Sequence, residues 1–556
     1  MTEQWFKDSV VYQVYPMSFQ DSNGDGIGDL PGITSRLEYI KKLGADVIWL
    51  NPIYVSPNKD NGYDIADYEA INPTYGTMAD FDNLLEKAHE LGLKIVMDLV
   101  VNHTSDQHKW FQESRKSKDN PYSDYYIWRD PVDGHEPNNW VAAFGGSVWE
   151  YDEGRGQYYL HMYAPSQPDL NWTNPKLREA VYSMQRFWLD KSVDGFRMDV
   201  INEISKPDGL PNMTGEVTAG TTQDFIADGP HLGEYLSEMN EKVLSKYDIM
   251  TVGEMPGVTT EDAIEYTGLK SNELNMVFEF EHVGLTNNPD TRLGRWNDVP
   301  VKLTDLKHAL NRWQIALDGK GWNSLYWNNH DQPRAVSRFG NDSDEFRVRS
   351  AKALGTTLHF LQGTPYVFEG EELGMTNGHF TRVDQYEDVE SVNVYKEMVE
   401  DKKIVDGPTM LKYLANMSRD NARTPMQWDA SENAGFTTAT PWYAVNPNHK
   451  EINVQANLED PDSVFYHYQK LIKIRHESET IRRGTFEALD EDDDQVYAYR
   501  RHGEDGTYLI MTNFTDQTVT RDYQQADASE LVISNYQDDQ GTTLRPYESK
   551  VYRFAK

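Results

Sequence analysis

Eight short apolar runs, alternating with helically spaced segments, constrain this chain more than any other feature. They occupy residues 10–16, 46–52, 94–102, 195–200, 249–255, 273–282, 322–331 and 364–370 and are rich in Val, Ile, Tyr and Trp. Near-continuous apolar strands are what a parallel sheet buried on both faces requires. Between them, segments beginning at Ile33, Met78, Leu177 and Phe346 repeat apolar residues at helical spacing. The alternation predicts an α/β chain built on a (β/α)8 TIM barrel, with its active site at the C-terminal ends of the strands.

Two departures from this rhythm predict further domains. Over 104–174 the alternation fails and Trp, Tyr, Asn, Gly and Pro accumulate. So long an excursion after the third strand reads as an inserted domain over the barrel mouth. Beyond a helical stretch at 465–478, short alternating strands at 495–501, 507–514, 530–536 and 549–556 predict a C-terminal antiparallel β-sandwich domain. The expected organisation is a barrel over 1–103 and 175–480, an insertion over 104–174 and a terminal domain over 481–556.

Charge narrows the partners. With 90 Asp plus Glu against 53 Lys plus Arg, the formal charge is −37. Nucleic acid and anionic membranes are poor partners for such a surface, whereas a small neutral substrate is compatible with it. The excess reads as a well-hydrated surface, with adaptation to salt as the alternative. There is no Cys, hence no disulfide. No apolar run approaches the ~20 residues of a membrane span, and the start carries neither a basic nor an apolar leader pattern. A cytoplasmic monomer is expected.

Carboxylates and histidines fall at the ends of successive predicted strands: Asp98 with His103, then Asp199, Glu254, and His330 with Asp331. Any one alone would read as an ion pair at a strand end, but their shared position suggests acid, base or nucleophile work. A metal site is the other reading of two histidines near carboxylates, yet neither stretch has zinc-motif spacing. Arg197 lies two residues before Asp199, so on a strand the two share a face and the guanidinium can hold the carboxylate ionised.

Seven stretches carry a resemblance: GDGIGDLPGI (24–33), DLVVNH (98–103), QPDLN (167–171), GFRMDVIN (195–202), VGEMPG (252–257), NNHDQPR (328–334) and RDNARTPMQW (419–428). In that order they resemble glycoside hydrolase family 13, the α-amylase family, and within it most closely the oligo-1,6-glucosidases. The resemblance implies that Asp199 is the nucleophile, Glu254 the acid/base and Asp331 the residue that binds sugar hydroxyls and helps distort the ring. It implies that Asp98, His103, Arg197 and His330 surround the same glucose. Asp60 and Arg419 match the pair that closes the pocket behind the non-reducing end, which implies an exo-acting enzyme. Tyr63 is expected to stack on the sugar, Phe144 and Tyr163 to flank the entrance, and Gln167 to serve a subsite. The family more often has Phe where Tyr163 stands, so a structural aromatic is the alternative there.

Val200, directly after the nucleophile, accompanies α-1,6 cleavage in the resembling enzymes, although as a barrel filler it would be unremarked. Isomaltose and short isomaltooligosaccharides are the expected substrates. A sucrose isomerase or transglucosidase, an α-1,4-glucosidase and a non-catalytic binding subunit are the alternatives on the same fold. In the loop DSNGDGIGD, Asp21, Asn23, Asp25, the Ile27 carbonyl and Asp29 recur at every second position, as in the first nine positions of an EF-hand loop, but position twelve is Gly32. The resemblance implies a structural Ca2+ there; a turn held by Asx hydrogen bonds is the alternative. It also implies that Lys206 replaces the Ca2+ that α-amylases bind at the inserted domain, where Asn102 would otherwise be a ligand.

Overall fold

A computed structural model of the chain describes residues 4–268 and 273–555. Residues 1–3 of the initial segment and Lys556, at the end of the last predicted strand, lie outside the described residues. All eight predicted barrel strands form: β1 (Val11–Val14), β2 (Val47–Leu50), β3 (Lys94–Val100), β4 (Gly195–Asp199), β5 (Met250–Glu254), β6 (Met276–Phe278), β7 (Ser324–Tyr326) and β8 (Thr364–Phe368). They pair in parallel in the order β6-β5-β4-β3-β2-β1-β8-β7, and a parallel bridge between Val277 and Asn323 joins β6 to β7 and closes the barrel.

Local chemistry sets the helices between strands. Thr77 and Asp80 form a reciprocal capping box that starts helix Met78–Glu90, whose Phe81, Leu84, Leu85 and Ala88 turn one face to the barrel. Asn174 caps helix Pro175–Asp190, with Pro in the first turn where its missing N–H costs nothing. Gly195 opens β4 at φ 150°, and a Cβ there would lie 1.9 Å from the Met250 carbonyl oxygen, so only glycine admits this approach of β4 to β5.

The excursion after β3 contains helix Lys109–Ser114 and a three-stranded antiparallel sheet of Trp128–Arg129, Trp149–Asp152 and Gln157–Leu160. A second long excursion follows β8, unforeseen as a structural element. It carries helices Val389–Tyr395 and Gly407–Met417 joined by a π-helical stretch, Lys396–Asp401. Its own apolar cluster, including Met410, Leu414 and Tyr443, packs it over the mouth.

The C-terminal sheet has five antiparallel strands: β9 (Thr485–Leu489), β10 (Val496–Gly503), β11 (Gly506–Asn513), β12 (Glu530–Ser534) and β13 (Ser549–Phe554), ordered β9-β10-β11-β13-β12. A two-stranded ribbon, Val519–Thr520 with Thr543–Leu544, covers one face, burying Val519 and Leu544 against Ala498, Leu509 and Met511. The other face joins the barrel core.

Candidate active site

Asp199 and Glu254 are the last residues of β4 and β5, so adjacent strands deliver them side by side. Arg197, fully buried on β4, links them. Its Nη1 donates to Asp199 Oδ1 at 2.6 Å and to Asp98 Oδ1 at 2.9 Å. Its Nη2 lies 2.7 Å from Glu254 Oε1, an ion-pair contact without hydrogen-bond alignment. One guanidinium touching both carboxylates keeps their nearest oxygens within about 8 Å, a gap that suits one sugar ring.

Burial pushes the Glu254 carboxyl up to about 8, with Arg197 opposing and Asp199 and Asp331 adding to the rise. Burial likewise raises Asp199, against its pairing with Arg197. Geometry separates the two: Asp199 has the aligned guanidinium hydrogen bond, so it is the better anion and Glu254 the better acid. Val200 contributes from the backbone. It sits at φ 34° and ψ 44°, a strained region for a β-branched residue, and its N–H donates to Glu254 Oε2 at 3.1 Å.

One end of the site is sealed by ion pairs. Arg419 Nη2 donates to Asp60 Oδ1 at 3.1 Å and to Asp388 Oδ1 at 2.5 Å, and its Nη1 reaches Asp331 Oδ1 at 3.2 Å. Arg423 joins the same two acids, at 3.0 Å from Asp388 and 2.8 Å from Asp331. Burial would raise Asp331 and Asp388, but His330, 3.1 Å away, together with Arg419 and Arg423 holds Asp331 well below the usual carboxylate range, and the two arginines hold Asp388 below it. Asp60 goes the other way: burial lifts it to about 6 although Arg419 opposes. The Phe144 ring covers the Arg419 guanidinium at 5.1 Å.

A cavity of 780 Å3 opens from this sealed end, lined there by Asp60, Tyr63, His103, Phe144, Tyr163, Asp199, Val200, Glu254, Asp331 and Arg419. Four residues expected at the sugar instead stand one layer back. Asp98 accepts from the Tyr63 hydroxyl at 2.9 Å and braces Arg197; Gln167 donates to Asp60 at 3.0 Å and to the Tyr63 carbonyl at 3.2 Å. Arg197 is the link already described, and His330 stacks on Tyr63 with ring centroids 5.2 Å apart and planes 6° apart. All four are buried, and each is held by a residue that does line the cavity. His103 does line it, yet its ring nitrogens meet the Tyr63 carbonyl and the Asn102 amide in the free protein. Burial lowers both His103 and His330 to about 4, so both imidazoles are neutral near pH 7.

Asp388 and Arg423 were not singled out from the sequence. Asp388 lies in a run, YEDVE, whose carboxylates look alike; only its place before helix Val389–Tyr395, where it accepts from the Glu390 N–H, distinguishes it.

Lys206 stands among Asn102 Oδ1 at 2.7 Å, Asp169 Oδ2 at 2.7 Å and the Glu203 carbonyl oxygen at 2.5 Å. An ammonium thus satisfies three oxygens. In the 21–29 loop, Asp21 accepts from the backbone N–H groups of Asn23, Gly24 and Gly26, Asn23 from Asp25, and Asp25 from Ile27. Asp29 accepts from Ser22 and caps helix Leu30–Ser35 through Gly32. Among the described residues no group of three or more His, Cys, Asp or Glu side chains converges as a metal cage. The donor set, all oxygen at alternate positions, is nonetheless of the hard type that suits Ca2+.

Comparison with known proteins agrees with this architecture. The α-amylase catalytic-domain model matches residues 13–484, and a β-galactosidase C-terminal-domain model matches 496–554. The oligo-1,6-glucosidase of Halalkalibacterium halodurans is 55% identical, covering 99% of each chain. Among solved structures, the trehalose-6-phosphate hydrolase of Bacillus licheniformis superposes with a TM-score of 0.93 at 48% identity, covering 99% of this chain and 100% of that one. The isomaltulose synthase of Protaminobacter rubrum gives 0.96 at 43%, covering 100% of both chains. None of the described helices is long and apolar enough to cross a membrane. Carboxylates at barrel strand ends, a cavity closed at one end beside them and a match over most of its length lead to one conclusion: this chain belongs to the α-amylase family of glycoside hydrolases.

Proposed function

We propose that the enzyme is an exo-acting, retaining α-glucosidase that hydrolyses α-1,6 bonds at the non-reducing end of isomaltose and short isomaltooligosaccharides. The observation that carries this is the Arg197 guanidinium joining Asp199 and Glu254 beside a cavity end shut by Asp60 and Arg419. Asp199 attacks the anomeric carbon while Glu254 gives its proton to the glycosidic oxygen. The C–O bond breaks, the aglycone leaves protonated, and glucose remains as an ester on Asp199. Glu254, now a carboxylate, takes a proton from water, whose oxygen displaces Asp199 and frees glucose with its configuration retained. Asp331, kept anionic by Arg419 and Arg423, is the acceptor for sugar hydroxyls.

The α-1,6 preference rests on Val200 beside the nucleophile and on relatives named oligo-1,6-glucosidase at 51 to 55% identity. Trehalose-6-phosphate hydrolysis is the second reading, since a Bacillus subtilis enzyme of that name is 50% identical. Charge at the mouth favours a neutral aglycone: Arg292 pairs with Asp290, Arg295 with Glu390 and Lys402 with Glu397. Glucose release from isomaltose, maltose, trehalose 6-phosphate and sucrose tests the reading. Isomaltose should lead maltose in kcat/KM by at least about tenfold, a difference of ~1.4 kcal/mol. Maltose in the lead overturns the linkage, and sucrose rearranged rather than hydrolysed overturns the reaction type.

We also propose a stabilising Ca2+ held by Asp21, Asn23, Asp25, the Ile27 carbonyl and Asp29. Calcium should raise the melting temperature of chelator-treated enzyme by several degrees, and Asp25→Ala should abolish that gain. An unchanged midpoint on adding calcium removes the proposal.

A further inference from the structure

Three side chains from three segments meet behind the cavity wall. Tyr163 comes from the inserted domain, Glu203 from the 3-10 turn Ile201–Glu203 after β4, and Gln223 from helix Ala219–Ile226. Tyr163 and Gln223 line the cavity; Glu203 is fully buried and does not. Its carboxyl collects both neighbours. Gln223 Nε2 donates to Oε1 at 2.7 Å, and the Tyr163 hydroxyl donates to Oε2 at 3.1 Å. Gln223 Nε2 also approaches the Tyr163 oxygen at 3.3 Å. Among the described residues no group donates to Gln223 Oε1.

Packing alone does not call for this arrangement. An apolar residue at 203 beside a phenylalanine at 163 would fill the same space without the cost of burying a carboxylate. Such a network is expensive unless each member is satisfied, and here the one acceptor left open belongs to the residue that reaches the cavity. Glu203 is also fixed from behind, because Lys206 donates to its carbonyl oxygen at 2.5 Å. The cavity has two unlike ends. Beyond the catalytic pair, on the side of Gln223, its walls include the exposed Glu216, Gly220 and Arg292, whereas Asp60 and Arg419 at the other end are buried. The leaving half of the substrate must therefore lie on the Gln223 side.

We propose that Glu203 is a positioning residue that sets aglycone preference: by holding Gln223 Nε2 it turns the Gln223 carbonyl oxygen into the open half of the cavity, where it accepts a hydroxyl of the departing sugar. This rests on the α-glucosidase reading. Glu203→Gln tests it with little change in shape. With Tyr163 still donating to the new carboxamide oxygen, the NH2 faces Gln223, whose amide then turns over and presents a donor where an acceptor stood.

The readout is the ratio of kcat/KM for isomaltose to that for p-nitrophenyl α-glucoside, whose leaving group has no sugar hydroxyls. The ratio should fall about tenfold in Glu203→Gln and in Gln223→Ala, and the double variant should fall no further than the worse single one. Unchanged melting temperatures keep a folding defect apart from the effect. An unaltered ratio, or losses that multiply in the double variant, overturns the proposal. Should the wild-type enzyme prefer another disaccharide, the linkage reading fails by itself, and the same ratio is taken with that disaccharide.

Discussion

At Glu254 the balance of burial against Arg197 leaves a carboxyl that keeps its proton through neutral pH. The acid is competent only while protonated, so kcat should decline as pH rises through about 8. Glu254→Gln and Asp199→Ala should each reduce kcat by at least about 1,000-fold with the melting temperature nearly unchanged. Near-native turnover in either variant would refute the pairing. Strand-end spacing made Asp199, Glu254 and Arg197 legible, whereas Asp60 and Arg419, both in turns, were legible only through the stretches that carry the family resemblance. Which layer a residue occupies was not legible: Asp98 sits behind the Tyr63 hydroxyl and Gln167 behind Asp60, contacts made between segments far apart in the chain. Glu203 was passed over because INEIS has no periodicity separating a buried carboxylate from an exposed one.

Among the elements, the barrel strands could be read because parallel strands covered on both faces must be apolar throughout. Strand β9 is not legible for the converse reason, since none of its residues is fully buried. The excursion after β8 is not legible in the sequence because its helices are short and polar outside, although it brings Asp388, Arg419 and Arg423 to the sealed end. Helix Leu303–Leu317 shows how an element binds domains together. Its Lys307 Nζ donates to the carbonyl oxygens of Asp490, Asp493 and Val496, at 2.5, 2.8 and 2.9 Å, in the turn between β9 and β10. Lys307→Met leaves the buried Val496 carbonyl and the less buried ones of Asp490 and Asp493 without their donor and should cost about 1 to 3 kcal/mol. A clear drop in thermal midpoint is expected; no drop would mean that the turn holds itself.

At the scale of the molecule, barrel and terminal sheet share one core. Leu354, Leu358 and Phe360 from the barrel cluster with Tyr497, Tyr499, Ile510 and Val551 from the sheet. Two buried arginines tie the same seam: Arg475 donates to the His359 and Leu361 carbonyls, and Arg501 to those of Phe360 and Ile481. A chain ending near residue 480 should therefore expose this apolar face, bind a hydrophobic dye and lose cooperative melting; a truncated enzyme with full activity and a native midpoint would show the barrel to be independent.

The seal made by Asp60 and Arg419 also imposes an order of traffic. Because those ion pairs close the inner end, the severed sugar must go out the way it came in before anything else can approach the glucose still esterified to Asp199. The vacated place then admits whichever hydroxyl compound arrives next, so concentrated sugar should compete with water and lengthen oligosaccharides instead of shortening them.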